Sequence, residues 1–267
     1  MKLAVAGKGG AGKTMVASTL SYIFSQKGDA VYAIDADPNP TLGQALGFPE
    51  SVLSAIQPVI SLKELIRERA GVSDSREAAG SYFRLNPRVD DIPDRFCGKH
   101  RTIRLLVMGA TRGPGTGCAC AENTVIKALV SHLILRAGET VIMDMVAGTE
   151  HIGRGTASGV NALIVVVEPS NRSVLAARSV LDFSKQMTGL CCRIVGNKIR
   201  SVDDKELIRA AFPDYTVNDF INWNENVLKA ENASVPVFDT CPDIVETLKG
   251  LVADLEDVQA ASSAHSS

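Results

Sequence analysis

No stretch of this 267-residue chain is dense in lysine and arginine, and its formal charge is only -2 at a pI near 6.1. That excludes the electrostatic footprint which non-specific nucleic-acid binding requires. Long hydrophobic runs are also missing. Apolar stretches such as Ala162–Val167 fall far short of the roughly 20 residues that cross a bilayer. There is no internal repeat, no long low-complexity segment and no linker between domains. The first expected strand begins at Lys2 and a glycine-rich loop follows at once, leaving no room for a signal peptide; a cytoplasmic protein is expected. There the six cysteines should stay reduced, so metal or redox chemistry competes with inert burial.

With 45% hydrophobic residues, the chain can bury a sizeable core. Short β-branched runs recur between segments of helical periodicity, the pattern of βαβ units in a parallel sheet covered on both faces. Strands are expected at 2–6, 30–35, 103–108, 140–145, 162–167 and 192–196, and helices at 13–26, 122–135, 172–186 and 242–255. One α/β domain over residues 1–257 follows, with a mostly parallel, twisted sheet. Residues 72–101 are polar and carry Gly, Pro and Arg, which suggests an insertion or mobile loop. The small, polar end of the chain, 258–267, has nothing to bury and is expected to be disordered.

Between the first strand and the first helix stands GKGGAGKT, residues 7–14, which fits G-x-x-x-x-G-K-[ST] in the context that its mechanism needs. Backbone N–H groups of such a loop curl round the β-phosphate, and the helix N-terminus favours negative charge. Lys13 would reach the β- and γ-phosphates, and the Thr14 hydroxyl would hold magnesium. The expected fold is therefore a single-domain P-loop NTPase. Carboxylates at the ends of parallel strands face the crevice where ligands bind. The second strand ends in IDADPNPTLGQALG, which offers Asp37 and Asp35; the fourth ends in Asp144. Asp144 holds the position of a carboxylate that binds magnesium through water. Asp37 is favoured over Asp35, and for both the alternative is that the side chain caps the next turn. Gly148 would open a loop that senses the γ-phosphate, and His151 beside it is read as structural.

The phosphate loop resembles the deviant Walker A motif of the MinD/ParA and nitrogenase-iron-protein class of dimeric ATPases. The resemblance implies that Lys8 reaches across a dimer interface to the partner's nucleotide, so that ATP holds the dimer together. It implies that Asp37 orients the attacking water, with Lys8 and Lys13 completing the catalytic set alongside magnesium. Gly9, Gly10, Ala11, Gly12, Lys13, Thr14 and Met15 would line ATP or ADP. Met15 departs from the class, which usually has Thr or Ser there. Asn197 and Lys198, in IVGNKIR, resemble a pair that reads the adenine edge. NWNENVLKAENASVPV resembles a signature that packs ribose and base, so Trp223 and Asn224 join the binding set; Asn222 stands where proline is usual.

TGCACAEN places Cys118 and Cys120 one residue apart, in a Gly-rich loop before a helix start, where thiol pKa values fall. In extended geometry the pair projects to one side, giving two ligands where a stable thiolate site needs four. A two-fold axis nearby would bring two pairs together, making a site suited to zinc, nickel(II) or an iron–sulfur cluster. Cys191 and Cys192, adjacent on a strand, would point to opposite faces and pack in the core. Cys97 and Cys241 are isolated and receive no role.

On this scaffold the C-x-C spacing, with DMVAGTEHIGRGTA downstream and DADPNPTLGQALG upstream, resembles the CooC-type nickel-insertion ATPases that mature carbon monoxide dehydrogenase. The resemblance covers residues 2 to about 256. It implies a homodimer with nickel, or zinc in vitro, on Cys118 and Cys120, and a carbon monoxide dehydrogenase or related nickel enzyme as client. Two other readings compete. A MinD- or ParA-like spatial organiser would need a basic amphipathic C-terminal helix, whereas ETLKGLVADLEDVQAASSAHSS is acidic and should be repelled by anionic lipid. An iron–sulfur carrier of the same class characteristically uses C-x-x-C.

Overall fold

Five strands made almost wholly of buried apolar residues form the centre of the molecule: β1 (Lys2–Gly7), β2 (Val31–Asp35), β4 (Ile103–Val107), β5 (Thr140–Asp144) and β6 (Ala162–Val167). Such continuous runs suit parallel strands covered on both faces. The computed structural model describes residues 1–70, 88–109, 128–129, 132, 139–145, 160–185, 190–217 and 219–264. Among these, β3 (Gly98–His100), β7 (Cys191–Ile199) and β8 (Asp219–Asn222) complete an eight-stranded sheet of order β3-β4-β2-β5-β1-β6-β7-β8. Every pairing is parallel except that of β3 with β4.

Two apolar layers follow from the alternation of side chains along each strand. Leu3 and Val5 of β1 join Ala162, Ile164 and Val166 of β6 beneath α1 (Lys13–Gln26), α9 (Val237–Thr240) and α10 (Pro242–Ala264). Ala4, Ala6, Leu163, Val165 and Val167 face the other way, under α6 (Asn171–Ser184) and α7 (Val202–Ala211). Because α1 is buried nearly all round, its hydroxyls need partners inside: Ser18 and Thr19 donate to the Met15 carbonyl and Ser21 to that of Ala17. Short helices α2 (Leu42–Ala45), α3 (Glu50–Leu53), α4 (Lys63–Ala70), α5 (Ile92–Phe96) and α8 (Glu225–Asn232) fill the connections.

The described part of the expected 72–101 insertion, from residue 88 onward, is ordered structure. Ile92 of α5 is fully buried, and β3 adds an antiparallel edge to β4. Of the tail expected to be disordered, 258–267, residues 258–264 continue α10, and 265–267 lie outside the described residues. Alanine, glutamine and glutamate carry a helix on propensity even where nothing is buried. Of the expected helix 122–135, only 128, 129 and 132 are described, and all three are helical. No helix among the described residues is long and apolar enough to cross a membrane.

Candidate functional site

The strand order reverses about β1, and at such a point the crevice beyond the strand ends accepts ligands. The loop from Gly7 to Thr14 lies there. It is closed by the Ala11 N–H donating to the Lys8 carbonyl at 3.1 Å and by Lys13 Nζ donating to the same carbonyl at 3.3 Å. Gly12 caps α1 at φ 99°, ψ 23°, a left-handed conformation, and a Cβ there would stand 2.2 Å from Asn197 Nδ2. Glycine is required at that position twice over, by its φ and by the approach of Asn197.

Behind the loop, Thr14 Oγ1 donates to Asp144 Oδ2 at 2.6 Å, joining the first turn of α1 to the end of β5. Asp144 is 1% exposed, and its other oxygen, Oδ1, is buried with no hydrogen-bond partner among the described residues. Burial pushes its carboxyl up to about 7, against the lowering effect of the Thr14 hydroxyl. Asp35, 1% exposed, is pushed up to about 6 for the same reason. A buried hydroxyl–carboxylate pair with an orphaned oxygen beside a phosphate loop is the donor set a magnesium ion takes: hard oxygens, one of them anionic. Thr14 and Asp144 fit that ion.

The two aspartates of the second strand's end separate in role. Asp35 accepts from the Asp37 N–H at 3.1 Å and from the Leu42 N–H at 2.9 Å, so it ties the segment 36–42 back to β2 and caps α2. Asp37 is half-buried and opens on the cleft, although its Oδ1 accepts from the Asn39 N–H at 2.8 Å. Asp37 thus lines the cleft and Asp35 belongs to the scaffold.

A cleft of about 650 Å³ runs from the loop toward α8. Gly9, Gly10, Gly12, Lys13, Thr14, Met15, Asp37, Asn197, Lys198, Trp223 and Asn224 all line it, so residues expected from four distant segments converge. Met15 is only 6% exposed and packs with the core. Trp223 is 43% exposed, with the Arg200 guanidinium 4.3 Å from its ring centre. Asn224 caps α8 through the Asn226 N–H. Asn197 is 4% exposed, and its amide is committed: Nδ2 donates to the Ala11 carbonyl at 2.7 Å and Oδ1 accepts from the Lys198 N–H at 2.8 Å. In this state Asn197 props the phosphate loop. We expect Asn197→Ala to leave the Ala11 carbonyl unpaired, cost about 1–3 kcal/mol and weaken nucleotide binding roughly tenfold by titration calorimetry.

Lys8 lies away from that lining. Its Nζ donates to Glu168 Oε1 at 2.9 Å, and Lys198 Nζ donates to the Gly10 carbonyl at 2.6 Å and lies 3.5 Å from Glu168 Oε2. Burial raises the Glu168 carboxyl, but the two ammoniums outweigh it and hold it below the ordinary value. Glu168 had no motif to announce it; its signal was only a carboxylate at the end of a parallel strand, as with Asp35 and Asp144.

Cys118, Cys120, Gly148 and His151 lie outside the described residues. Among the described residues no group of three or more His, Cys, Asp or Glu could hold a metal ion. Cys191 packs on one apolar layer and Cys192 on the other, as adjacent strand residues must. Burial raises the thiols of Cys97 and Cys192, so neither is poised as a thiolate ligand, and Cys241 is 1% exposed within the core.

A phosphate loop at the end of the central strand, backed by a buried Thr–Asp pair, defines a P-loop nucleotide-binding protein. The domain model of the CobQ/CobB/MinD/ParA nucleotide-binding family matches residues 2–237, and the chain belongs to that family. It is 37% identical over 255 residues to the carbon monoxide dehydrogenase accessory protein CooC of Rhodospirillum rubrum, covering 96% of both chains. An uncharacterised ATP-binding protein of Methanocaldococcus jannaschii is also 37% identical, over 89% of this chain and 91% of its own. The fold is that of the MinD cell division protein of Aquifex aeolicus, at TM-score 0.63 and 17% identity over 95% and 98% of the two chains. A ParA family ATPase from Chlorobium tepidum superposes at TM-score 0.65, again with 17% identity, over 92% and 97%. The resemblance to CooC-type ATPases read from the motifs thus extends over nearly the whole chain.

Proposed function

We propose that this protein is a magnesium-dependent ATPase that acts as a metallochaperone: nucleotide-driven dimerisation brings Cys118 and Cys120 of two copies together on nickel, which is then delivered to a carbon monoxide dehydrogenase or a related nickel enzyme. The observation that carries this reading is the 37% identity to CooC over 96% of both chains. Thr14 and Asp144 would hold magnesium, which when bound would offset charge developing on the transferred phosphoryl group. Lys13 and the backbone N–H groups of Gly9, Gly10, Ala11 and Gly12 would grip the phosphates. Asp37, half-buried at the cleft, would orient the attacking water, and Lys8 would reach the partner copy's nucleotide. Lys198, Trp223 and Asn224, which line the cleft, would contact the base, and Asn197 supports the loop beneath.

The MinD cell division protein of Aquifex aeolicus is 17% identical to this chain, against 37% for CooC. The acidic side chains of α10, among them Asp243, Glu246, Asp254, Glu256 and Asp257 against the single Lys249, argue against an anionic membrane as partner.

Metal binding by the variant Cys118→Ser/Cys120→Ser tests the proposal. Wild type with nickel and an ATP analogue should hold about one nickel per two protomers, the stoichiometry of a four-thiolate site shared across a two-fold axis. The double variant should hold none and still bind nucleotide. Stoichiometric nickel retained by the variant would remove the cysteine pair from the function.

A further inference from the structure

Three lysines surround the phosphate loop, Lys8 and Lys13 on it and Lys198 reaching its Gly10 carbonyl, and a single carboxylate addresses two of them. Glu168 follows β6, whose neighbours in the sheet are β1, leading into Lys8, and β7, which carries Lys198. One of its oxygens takes Lys8 and the other faces Lys198, with the Ser170 hydroxyl 3.3 Å from Oε1. Its base is fixed: the Glu168 N–H donates to Ser173 Oγ at 3.1 Å, inside the capped first turn of α6. Lys198 is fixed too, at φ 60° in a bulge where the β7–β8 register shifts. The Glu168 side chain is 18% exposed and that of Lys8 34%, so the pair is partly shielded from solvent screening.

Carboxylate and nucleotide phosphate are both anions, and the same ammoniums serve either. We propose that Glu168 is a latch in cis: its carboxylate holds Lys8 and Lys198 against their own subunit, and a nucleoside triphosphate must displace it before Lys8 can reach a second copy of this chain. The latch rests on the reading that Lys8 acts across the dimer. It makes Glu168 a positioning residue that keeps the protomer from pairing through Lys8 before a triphosphate is bound, a route separate from any bridging by metal, and ADP, lacking the γ-phosphate, would displace it less well.

The test is the concentration of a slowly hydrolysed ATP analogue, with magnesium, at which half the protein is dimeric by sedimentation. Glu168→Gln keeps the shape and removes the charge. It should lower that concentration roughly three- to tenfold at low salt, the range expected for losing one or two partly exposed ion pairs. The gain should shrink as the Debye length falls from about 10 Å at 0.1 M salt to about 3 Å at 1 M. ADP affinity should change less than analogue affinity. Glu168→Asp, charged but one methylene shorter, should fall between wild type and Glu168→Gln. An unchanged or higher half-point for Glu168→Gln overturns the latch, as do equal shifts for the Gln and Asp variants, which would point to packing. Lys8→Gln separates the two ideas: it should not dimerise at any analogue concentration. If it dimerises like wild type, the trans role of Lys8 fails and the latch with it.

Discussion

Gly12→Ala should bind no ATP or ADP at millimolar concentration and should also unfold at a lower temperature. Alanine at φ 99° is strained by about 1–3 kcal/mol whatever the space around it. Here there is no space, because the new methyl would stand 2.2 Å from Asn197 Nδ2 and 3.8 Å from the end of Met15. Relief requires Asn197 to withdraw, which breaks its bond to the Ala11 carbonyl, or the loop to open, which moves the N–H groups meant for phosphate. Either way one substitution removes the loop's geometry and its prop together. Calorimetric titration and a melting curve check both effects. A Gly12→Ala protein that binds nucleotide like wild type would show that the cradle is not built as described.

Asp144→Asn should move stability and activity in opposite directions. In the folded protein, without metal, burial raises the Asp144 carboxyl to about 7 and that of Asp35 to about 6, from an ordinary 3.8. A raised carboxyl pKa means that the folded state holds a proton that the unfolded state has lost. Stability is therefore full below about pH 4, falls as pH rises toward 7, and stays low beyond it. For Asp144 the loss is on the order of 2–4 kcal/mol. Asparagine carries no charge to bury, so in chelator at pH 8 the variant should melt several degrees above wild type, and the difference should vanish near pH 4. Hydrolysis should meanwhile fall on the order of a hundredfold or more, since the negative charge proposed to hold magnesium through water is gone. Saturating magnesium and nucleotide should reverse the order of melting temperatures, because a ligand bound only by the folded state stabilises it. A variant less stable than wild type at pH 8 in chelator would contradict the burial argument.

The elements that position the loop were legible because one strong signal governs each. A β-branched run, a glycine-rich turn and an apolar helix fix β1, the loop and α1, and the expected helix 13–26 matches Lys13–Gln26. Short elements were not legible. Gly98–His100 is three residues without a β-branched side chain, and it becomes a strand only because β4 offers an open edge. The helix Val202–Ala211 announced itself only by a capping box from Ser201 to Asp204, easily lost among polar residues. The small polar residues 258–264 have little to bury and carry no sequence signal of order, whereas a helix already running from Pro242 needs only favourable propensity to continue.

Within the site, residue types at motif spacing located the cleft, but not what each side chain does there. Asp35 and Asp37 are two residues apart with similar surroundings in sequence, and only the bonds to Leu42 and Asn39 distinguish a cap from a cleft carboxylate. Asn197 lines the cleft and also bonds to the Ala11 carbonyl, a contact set by the β1-β6-β7 order and not by local sequence. Glu168 depends on the same order.

The most direct test of the account is the molar mass of the reduced protein by light scattering, alone, with nickel, with ADP and with an ATP analogue, beside Cys118→Ser/Cys120→Ser. The account predicts a wild type that dimerises with nickel and with the analogue, and a double variant that answers the analogue but not nickel. Nickel dimerising both proteins alike, or neither, would contradict a shared four-thiolate site and leave a nucleotide-switched ATPase without its cargo.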